Sequence, residues 1–192
     1  MQSNSTMKEF VINMLMSRLP STYYFHDYRH TLYVTEKSAE IAEQEGCTDE
    51  EIRLLVAAAL WHDAGYINIY KGHEEESCML AKKYLPDFGY NKNEIDIICG
   101  IIMATKIPQS PKTKLEQIIA DADLEYFGTD LVEPLADQLF RELRELDPTL
   151  SEKKWNQMQI SFLEAHRYFT NFCKQHREPG KHEYLLKILA KQ

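Results

Sequence analysis

The dipeptide His62-Asp63 constrains this chain most, because it ends an apolar run that spans residues 54–61. An imidazole and a carboxylate at buried positions cost free energy unless another group compensates them. A divalent metal ion is the obvious compensator, since neutral His and ionised Asp are both metal ligands. The dipeptide alone is weak evidence. A core histidine bonded to a backbone carbonyl, followed by an aspartate that caps the next turn, accounts for it better.

Three further groups with metal-binding chemistry lie far from this dipeptide along the chain. His30 stands upstream in an aromatic and polar stretch, and Asp121 and Asp123 stand downstream in an apolar one. Residues two apart on a helix point about 200° apart, so at most one of these aspartates faces a shared ion, and periodicity does not choose between them. His26 lies four residues before His30 on the same helix face, a spacing that also suits a pair of histidine ligands.

The periodicity of apolar residues predicts an all-α fold. No segment alternates apolar and polar residues as a half-buried strand does, and the seven Gly and seven Pro fall between periodic segments. Two boxes of the S/T-x-x-E type, Thr48–Glu51 and Thr149–Glu152, predict helix starts. The predicted helices cover residues 6–19, 26–45, 49–63, 73–85, 93–105, 113–126, 130–146, 150–176 and 181–190.

Composition narrows the classes of function. A chain of 192 residues with 44% hydrophobic residues fits one globular domain, and a net charge of −8 argues against binding to duplex nucleic acid. The four cysteines form no CxxC pair, so we expect free thiols rather than disulfides or a structural zinc site. Neither a signal segment nor a membrane-spanning run is present, which predicts a cytoplasmic protein without membrane contact.

The order His30, His62-Asp63 and Ala122-Asp123-Leu124 resembles the HD-domain superfamily of metal-dependent phosphohydrolases. The resemblance covers roughly residues 24–130, with supporting matches at Gly65, in segment 72–77 and at residues 104–106. It implies an HD-domain/PDEase-like helical bundle. Residues 1–192 would then form a single HD-type domain, in which 131–192 add C-terminal helices. Those added helices carry no motif, and they would either shape substrate choice or form the face of a homodimer.

The resemblance also implies the ligands and the catalytic groups. It assigns His30, His62, Asp63 and Asp123 to one divalent ion. Asp121 would then support a neighbouring group, and His26 would line the cleft or serve the structure. This set of two nitrogens and two oxygens suits Mn²⁺, Fe²⁺, Ni²⁺, Co²⁺ or Zn²⁺, with Mg²⁺ also allowed. Asp63 is expected to accept a proton from the attacking water, and His73 or Glu74 is expected to protonate the leaving oxygen.

The chain departs from the dinuclear HD pattern, because residues 74–122 contain no histidine. This favours one metal ion over two and disfavours a third interpretation, an HD-fold oxygenase with a di-iron centre. Positive charge for a substrate phosphate is instead expected from Lys106, Arg29 or Lys71.

The expected substrate is a small phosphate ester, a nucleotide or a related compound. An alternative is a regulatory HD protein that binds a nucleotide or a metal without turnover. Aromatic residues near the motifs would either stack a nucleobase or simply pack the core; these are Tyr23, Tyr24, Phe25, Tyr28, Tyr66, Tyr70 and Tyr126.

Overall fold

The fold was analysed in a computed structural model that describes residues 6–190; the predicted single domain also includes residues 1–5 and 191–192, which lie outside the described residues. Every regular element in the described range is helical, which confirms the all-α prediction. The α-helices are α1 (Met7–Arg18), α2 (Tyr28–Gln44), α3 (Asp49–Trp61), α4 (His73–Tyr84), α5 (Lys92–Met103), α6 (Lys114–Asp123), α7 (Val132–Leu146), α8 (Glu152–Ala165), α9 (Asn171–His176) and α10 (Glu178–Leu189). Short 3₁₀ turns cover Ala64–Ile67, Leu85–Phe88 and Glu125–Gly128.

Local capping explains where several of these helices begin. The predicted box at Thr48 is confirmed, since its side chain accepts the amide of Glu51 while the Glu51 carboxylate accepts the amide of Thr48. The same reciprocal bonds open α1, α5 and α6. Each cap satisfies backbone donors that the first helical turn leaves free, which fixes the start of the helix to one residue.

Two clusters of buried apolar side chains hold the helices together. The larger cluster contains side chains from all six helices from α1 through α6. At its centre lie the fully buried Ala57, Ala58 and Ala59 of α3, whose small side chains let neighbouring helices approach closely. The second cluster joins α7, α8 and α10 to Phe25 and to Leu124, which directly follows α6. The end of α6 therefore lies where the two clusters meet.

The prediction of one long helix over residues 150–176 is wrong. The chain is helical only to Ala165, passes through an extended segment and resumes as α9. The box at Thr149 is also wrong, because Ser151 is the N-cap and accepts the amide of Lys154. The break arises from distant contacts, since Asp121 accepts the amides of Phe169 and Thr170 and so holds them outside a helix.

The remaining differences concern helix ends. The sixth helix ends at Asp123 rather than residue 126 and continues as a 3₁₀ turn, and the last helix begins at Glu178 rather than residue 181. The four cysteines are free thiols, as expected. Across residues 6–190, no helix combines the length and the apolar character that crossing a bilayer would require.

Candidate metal centre

Three helix ends bring the predicted metal ligands together. The carboxylate of Asp27 accepts the amides of Arg29 and His30, which starts α2 and places His30 in its first turn. His62 and Asp63 directly follow α3, and Asp123 is the last residue of α6. A residue at a helix end is not bound to the strict 100° step of a helix interior, so neighbours such as His62 and Asp63 can face the same point.

The four side chains converge within a few ångströms. The Nε2 atom of His30 lies 3.0 Å from Oδ1 of Asp123 and 3.5 Å from Oδ2 of Asp63. The Nε2 atom of His62 lies 3.3 Å from Oδ2 of Asp63 and 3.6 Å from Oδ1 of Asp123. One ligand atom each from His30, His62 and Asp123 lies within 4.8 Å of the other two, a spacing that one ion can bridge.

Buried polar atoms without partners show that these residues fit a metal ion. Nδ1 of His62 lies 2.7 Å from the carbonyl oxygen of Ala59, which can only accept, so Nδ1 carries the proton. In neutral His62 the Nε2 lone pair then faces the centre, the arrangement that metal-binding histidines adopt. Among the described residues, Nε2 of His62 and Oδ2 of Asp63 have no hydrogen-bond partner although both are buried. A cation would satisfy both atoms.

The electrostatics of the cluster favour a positive charge at its centre. Burial opposes the charged form of His62, but the carboxylates of Asp63 and Asp123 outweigh it and hold the pKa of His62 well above its usual range. Burial likewise opposes ionisation of both carboxyl groups, yet the histidines lower the pKa of each. A metal ion competes with protons for such ligands and supplies the same positive charge.

His73 and Glu74 adjoin this cluster at the start of α4. The Nε2 atom of His73 lies 3.5 Å from Oδ1 of Asp63, and its Nδ1 lies 3.2 Å from the carbonyl oxygen of Tyr70. The imidazole stacks on the ring of Tyr66 at a centroid distance of 3.8 Å. Glu74 is buried, with Oε2 3.6 Å from Nδ1 of His73. The structure therefore places His73 against Asp63, and Glu74 lies beside His73 and lines the neighbouring cavity.

Gly65 lets α4 approach this closely. A Cβ atom on Gly65 would lie 2.0 Å from the carbonyl oxygen of His73, which leaves room only for glycine. The Gly65 amide also donates to Oγ of Ser77 at 2.8 Å. The glycine after His62-Asp63 thus sets the position of His73 beside Asp63.

The predicted phosphate-binding cations are not brought to the centre. Arg29 pairs with Asp27, Lys106 pairs with Glu75, and Lys71 is exposed. Asp121 also lies apart, because its carboxylate accepts from the Thr170 hydroxyl at 2.6 Å as well as from two backbone amides. The structure places Asp123, and not Asp121, against the two imidazoles.

Glu142 is the site residue that sequence reasoning missed. Its buried carboxylate on α7 forms a short hydrogen bond with Nδ1 of His26 and accepts from the Tyr70 hydroxyl at 3.1 Å. It also accepts the amides of Phe25 and His26 at 2.9 and 3.0 Å. No local signal marks this role, since a glutamate on an amphipathic helix is ordinarily a surface residue.

A cavity of about 280 Å³ opens beside the cluster. Its polar end is formed by two imidazoles and three carboxyl groups, namely those of His26, His73, Asp63, Glu74 and Asp123. Of the predicted aromatic wall, Phe25, Tyr66 and Tyr126 line the cavity, while Tyr23 and Tyr70 pack edge-on against Tyr66. The opposite end is formed by α7 and α8.

Comparisons with known proteins identify the family and the fold of this chain. The profile of the HD domain family matches residues 27–125. A predicted HD superfamily hydrolase from an uncultured Thermotogales bacterium is 20% identical, with a TM-score of 0.60 over 95% of this chain and 91% of its own. Bacillus subtilis YpgQ in complex with ADP is 16% identical, with a TM-score of 0.63 over 97% of each chain.

The two solved structures share the fold over nearly the whole chain. Among curated proteins, none matches this chain significantly. The family match spans more than half of the sequence and contains each residue of the His30, His62, Asp63 and Asp123 cluster. The chain therefore belongs to the HD domain family.

Proposed function

We propose that this protein is a metal-dependent phosphohydrolase that acts on a small phosphate ester. The observation that carries the proposal is the convergence of His30, His62, Asp63 and Asp123 beside an open cavity. These ligands would hold one divalent ion, with Mn²⁺, Fe²⁺, Ni²⁺, Co²⁺ or Zn²⁺ favoured and Mg²⁺ allowed. Nucleotides and related compounds are the first substrates to assay, since YpgQ shares the fold and was solved with ADP.

The ion, when bound, supplies Lewis acidity that favours ionisation of water and offsets charge on the phosphoryl group. Asp63 would accept the proton of the attacking water. The bond from water oxygen to phosphorus forms, the bond from phosphorus to the ester oxygen breaks, and phosphate and an alcohol leave. His73 lines the cavity, and its Nε2 lies beside Asp63 while its Nδ1 faces the Tyr70 carbonyl, so Nε2 or the nearby Glu74 carboxyl would protonate the departing oxygen.

The C-terminal helices support the proposal of a single domain. Helices α7 and α8 complete the cavity, and Glu142 of α7 binds His26 at its polar end. Residues 131–192 would therefore shape the substrate site of the HD core.

Phosphate release by purified, Mn²⁺-loaded protein tests the hydrolase proposal. His62→Ala and Asp63→Asn should lower kcat/KM by about 10³-fold, because each removes a metal ligand and several kcal/mol of transition-state stabilisation goes with it. Asp96→Asn, an exposed carboxylate on α5, is the matched control and should keep full activity. Turnover that survives both ligand substitutions would contradict the proposal. If calorimetry shows that a nucleotide binds and no turnover is detected, the protein is instead a regulatory HD protein.

A further inference from the structure

The end of the cavity opposite the metal ligands is strongly apolar. Eight of the side chains that line it come from α7 and α8, and seven of these are apolar. Leu139 and Leu143 face the cavity from α7, and Trp155 and Phe162 face it from α8. The free energy of burying apolar surface favours a ligand whose organic group is itself hydrophobic.

The one exception among these eight residues is already engaged. Oε1 of Gln159 accepts the Tyr184 hydroxyl at 2.7 Å, and its Nε2 donates to Oδ1 of Asn156 at 3.4 Å. A nucleobase carries several donors and acceptors that lose water when buried. Each buried donor or acceptor of the base costs free energy unless it forms a hydrogen bond with the protein. Besides Gln159, only the indole N–H of Trp155 among the side chains at this end could form a hydrogen bond with them.

The charge of the residues that line the cavity limits how many phosphate groups the ligand can carry. No lysine or arginine from the described chain lines the cavity, whereas Asp63, Glu74 and Asp123 do. Lys106 is paired with Glu75 outside it. The two carboxylates of Asp63 and Asp123 already balance the charge of one divalent ion. Each further phosphate group of a diphosphate or triphosphate would therefore add negative charge that no cation of this lining offsets.

We infer that the ligand of this cavity is a phosphate monoester with one phosphate group and an uncharged, hydrophobic organic group. The phosphate lies at the His62-Asp63 end, and the organic group lies between α7 and α8. This inference rests on the proposed function and narrows its small phosphate esters. Hydrophobic monophosphates are preferred to nucleoside diphosphates and triphosphates.

A series of n-alkyl phosphates tests the inference, because ethyl, butyl and hexyl phosphate share one type of leaving group and differ only in apolar length. Binding to the Mn²⁺-loaded protein is followed by tryptophan fluorescence. Trp155 lines the cavity, and the other tryptophan, Trp61, is fully buried away from it. Trp155→Phe should remove the signal. The Kd should fall up to about fourfold for each added methylene, and hexyl phosphate should bind more tightly than ADP or ATP.

Variants at the apolar end locate the organic group. Met158 lines the cavity and is 45% exposed, so Met158→Gln should leave the fold intact. This substitution should raise the Kd of hexyl phosphate about threefold and leave the Kd of ethyl phosphate almost unchanged. Leu139 also lines the cavity and is less exposed than Met158, so Leu139→Gln should raise the Kd of hexyl phosphate about tenfold. Met79 on α4 is 65% exposed and does not line the cavity, so Met79→Gln is the control. It should change the Kd of neither hexyl phosphate nor ethyl phosphate.

The binding and turnover readouts separate the two proposals. A fall in Kd with chain length in a protein that hydrolyses neither these esters nor any nucleotide supports the hydrophobic ligand and refutes the hydrolase. Turnover with no dependence on chain length refutes the hydrophobic ligand and leaves the hydrolase standing. Tighter binding of ADP than of hexyl phosphate also overturns the inference.

Discussion

Glu142 determines the position of His26, although Glu142 lies on α7 and His26 lies in the loop before α2, far away in the chain. The buried Glu142 carboxylate binds the His26 side chain, the Tyr70 hydroxyl and two backbone amides. Glu142→Ala would leave these donors buried without an acceptor, so we expect the free energy of unfolding to fall by about 3–5 kcal/mol. Urea denaturation measures the loss. The control is Glu145→Ala, an exposed position on the same helix, which should change stability by less than about 0.5 kcal/mol.

A second residue, His166, should make stability depend on pH. Burial, helped by the positive charges of Lys181 and Arg167, lowers the pKa of His166 to about 3. In the unfolded chain a histidine titrates near pH 6.5. Below that pH the unfolded state therefore binds a proton at His166, whereas His166 stays unprotonated in the folded state. The free energy of unfolding should therefore fall as the pH drops from 6.5 towards 3, by up to about 1.4 kcal/mol per pH unit.

Denaturation of wild type and His166→Gln between pH 7.5 and 5 measures this slope. The wild type should lose stability more steeply than the variant below pH 6.5, whatever the difference between them at pH 7.5. His182→Gln, at an exposed histidine, is the matched control and should follow the wild type. Parallel curves for wild type and His166→Gln would show that His166 is not the titrating group.

At the scale of elements, the sequence predicted what local contacts decide. The start of α3 follows from Thr48 and Glu51, three residues apart, and was predicted to the residue. The break between α8 and α9 depends on Asp121, about fifty residues away, and no local pattern marks it. The metal cluster, in contrast, was predicted from the resemblance of His30, His62-Asp63 and Asp123 to the HD-domain pattern and not from local contacts. The bond between His26 and Glu142 joins the loop before α2 to α7, and no motif links the two segments, so only the fold could show it.

The different roles of Asp121 and Asp123 within one helix can be tested by matched substitutions. Asp121→Asn weakens the bonds that hold the segment between α8 and α9, so it should lower the free energy of unfolding by about 1–3 kcal/mol. It should keep one metal ion per chain. Asp123→Asn removes a proposed ligand and should lose the ion, as measured by metal analysis after dialysis. Loss of metal from Asp121→Asn with retention by Asp123→Asn would reverse the assignment.

At the scale of the whole molecule, two glycines join the C-terminal helices to the HD core. Gly128 ends the 3₁₀ turn that follows Asp123, and Gly180 lies in the first turn of α10. A Cβ atom on Gly180 would lie 2.5 Å from the carbonyl oxygen of Gly128. Nearby, Glu125 and Arg177 form an ion pair between the same two segments. The cavity depends on this contact, because α10 packs against α8, which lines the apolar end.

Gly180→Ala should therefore destabilise the protein even though alanine is the better helix former. The added methyl group meets rigid backbone rather than a mobile side chain, so α10 must shift, and we expect a loss of about 1–3 kcal/mol. Gly100→Ala within α5 is the matched control. A Cβ atom on Gly100 would meet only the end of the Glu116 side chain, at 3.8 Å. That change should raise stability by up to about 1 kcal/mol. Thermal unfolding of both variants measures the contrast, and a rise in Tm for Gly180→Ala would show that α10 is not seated on the core through this glycine pair.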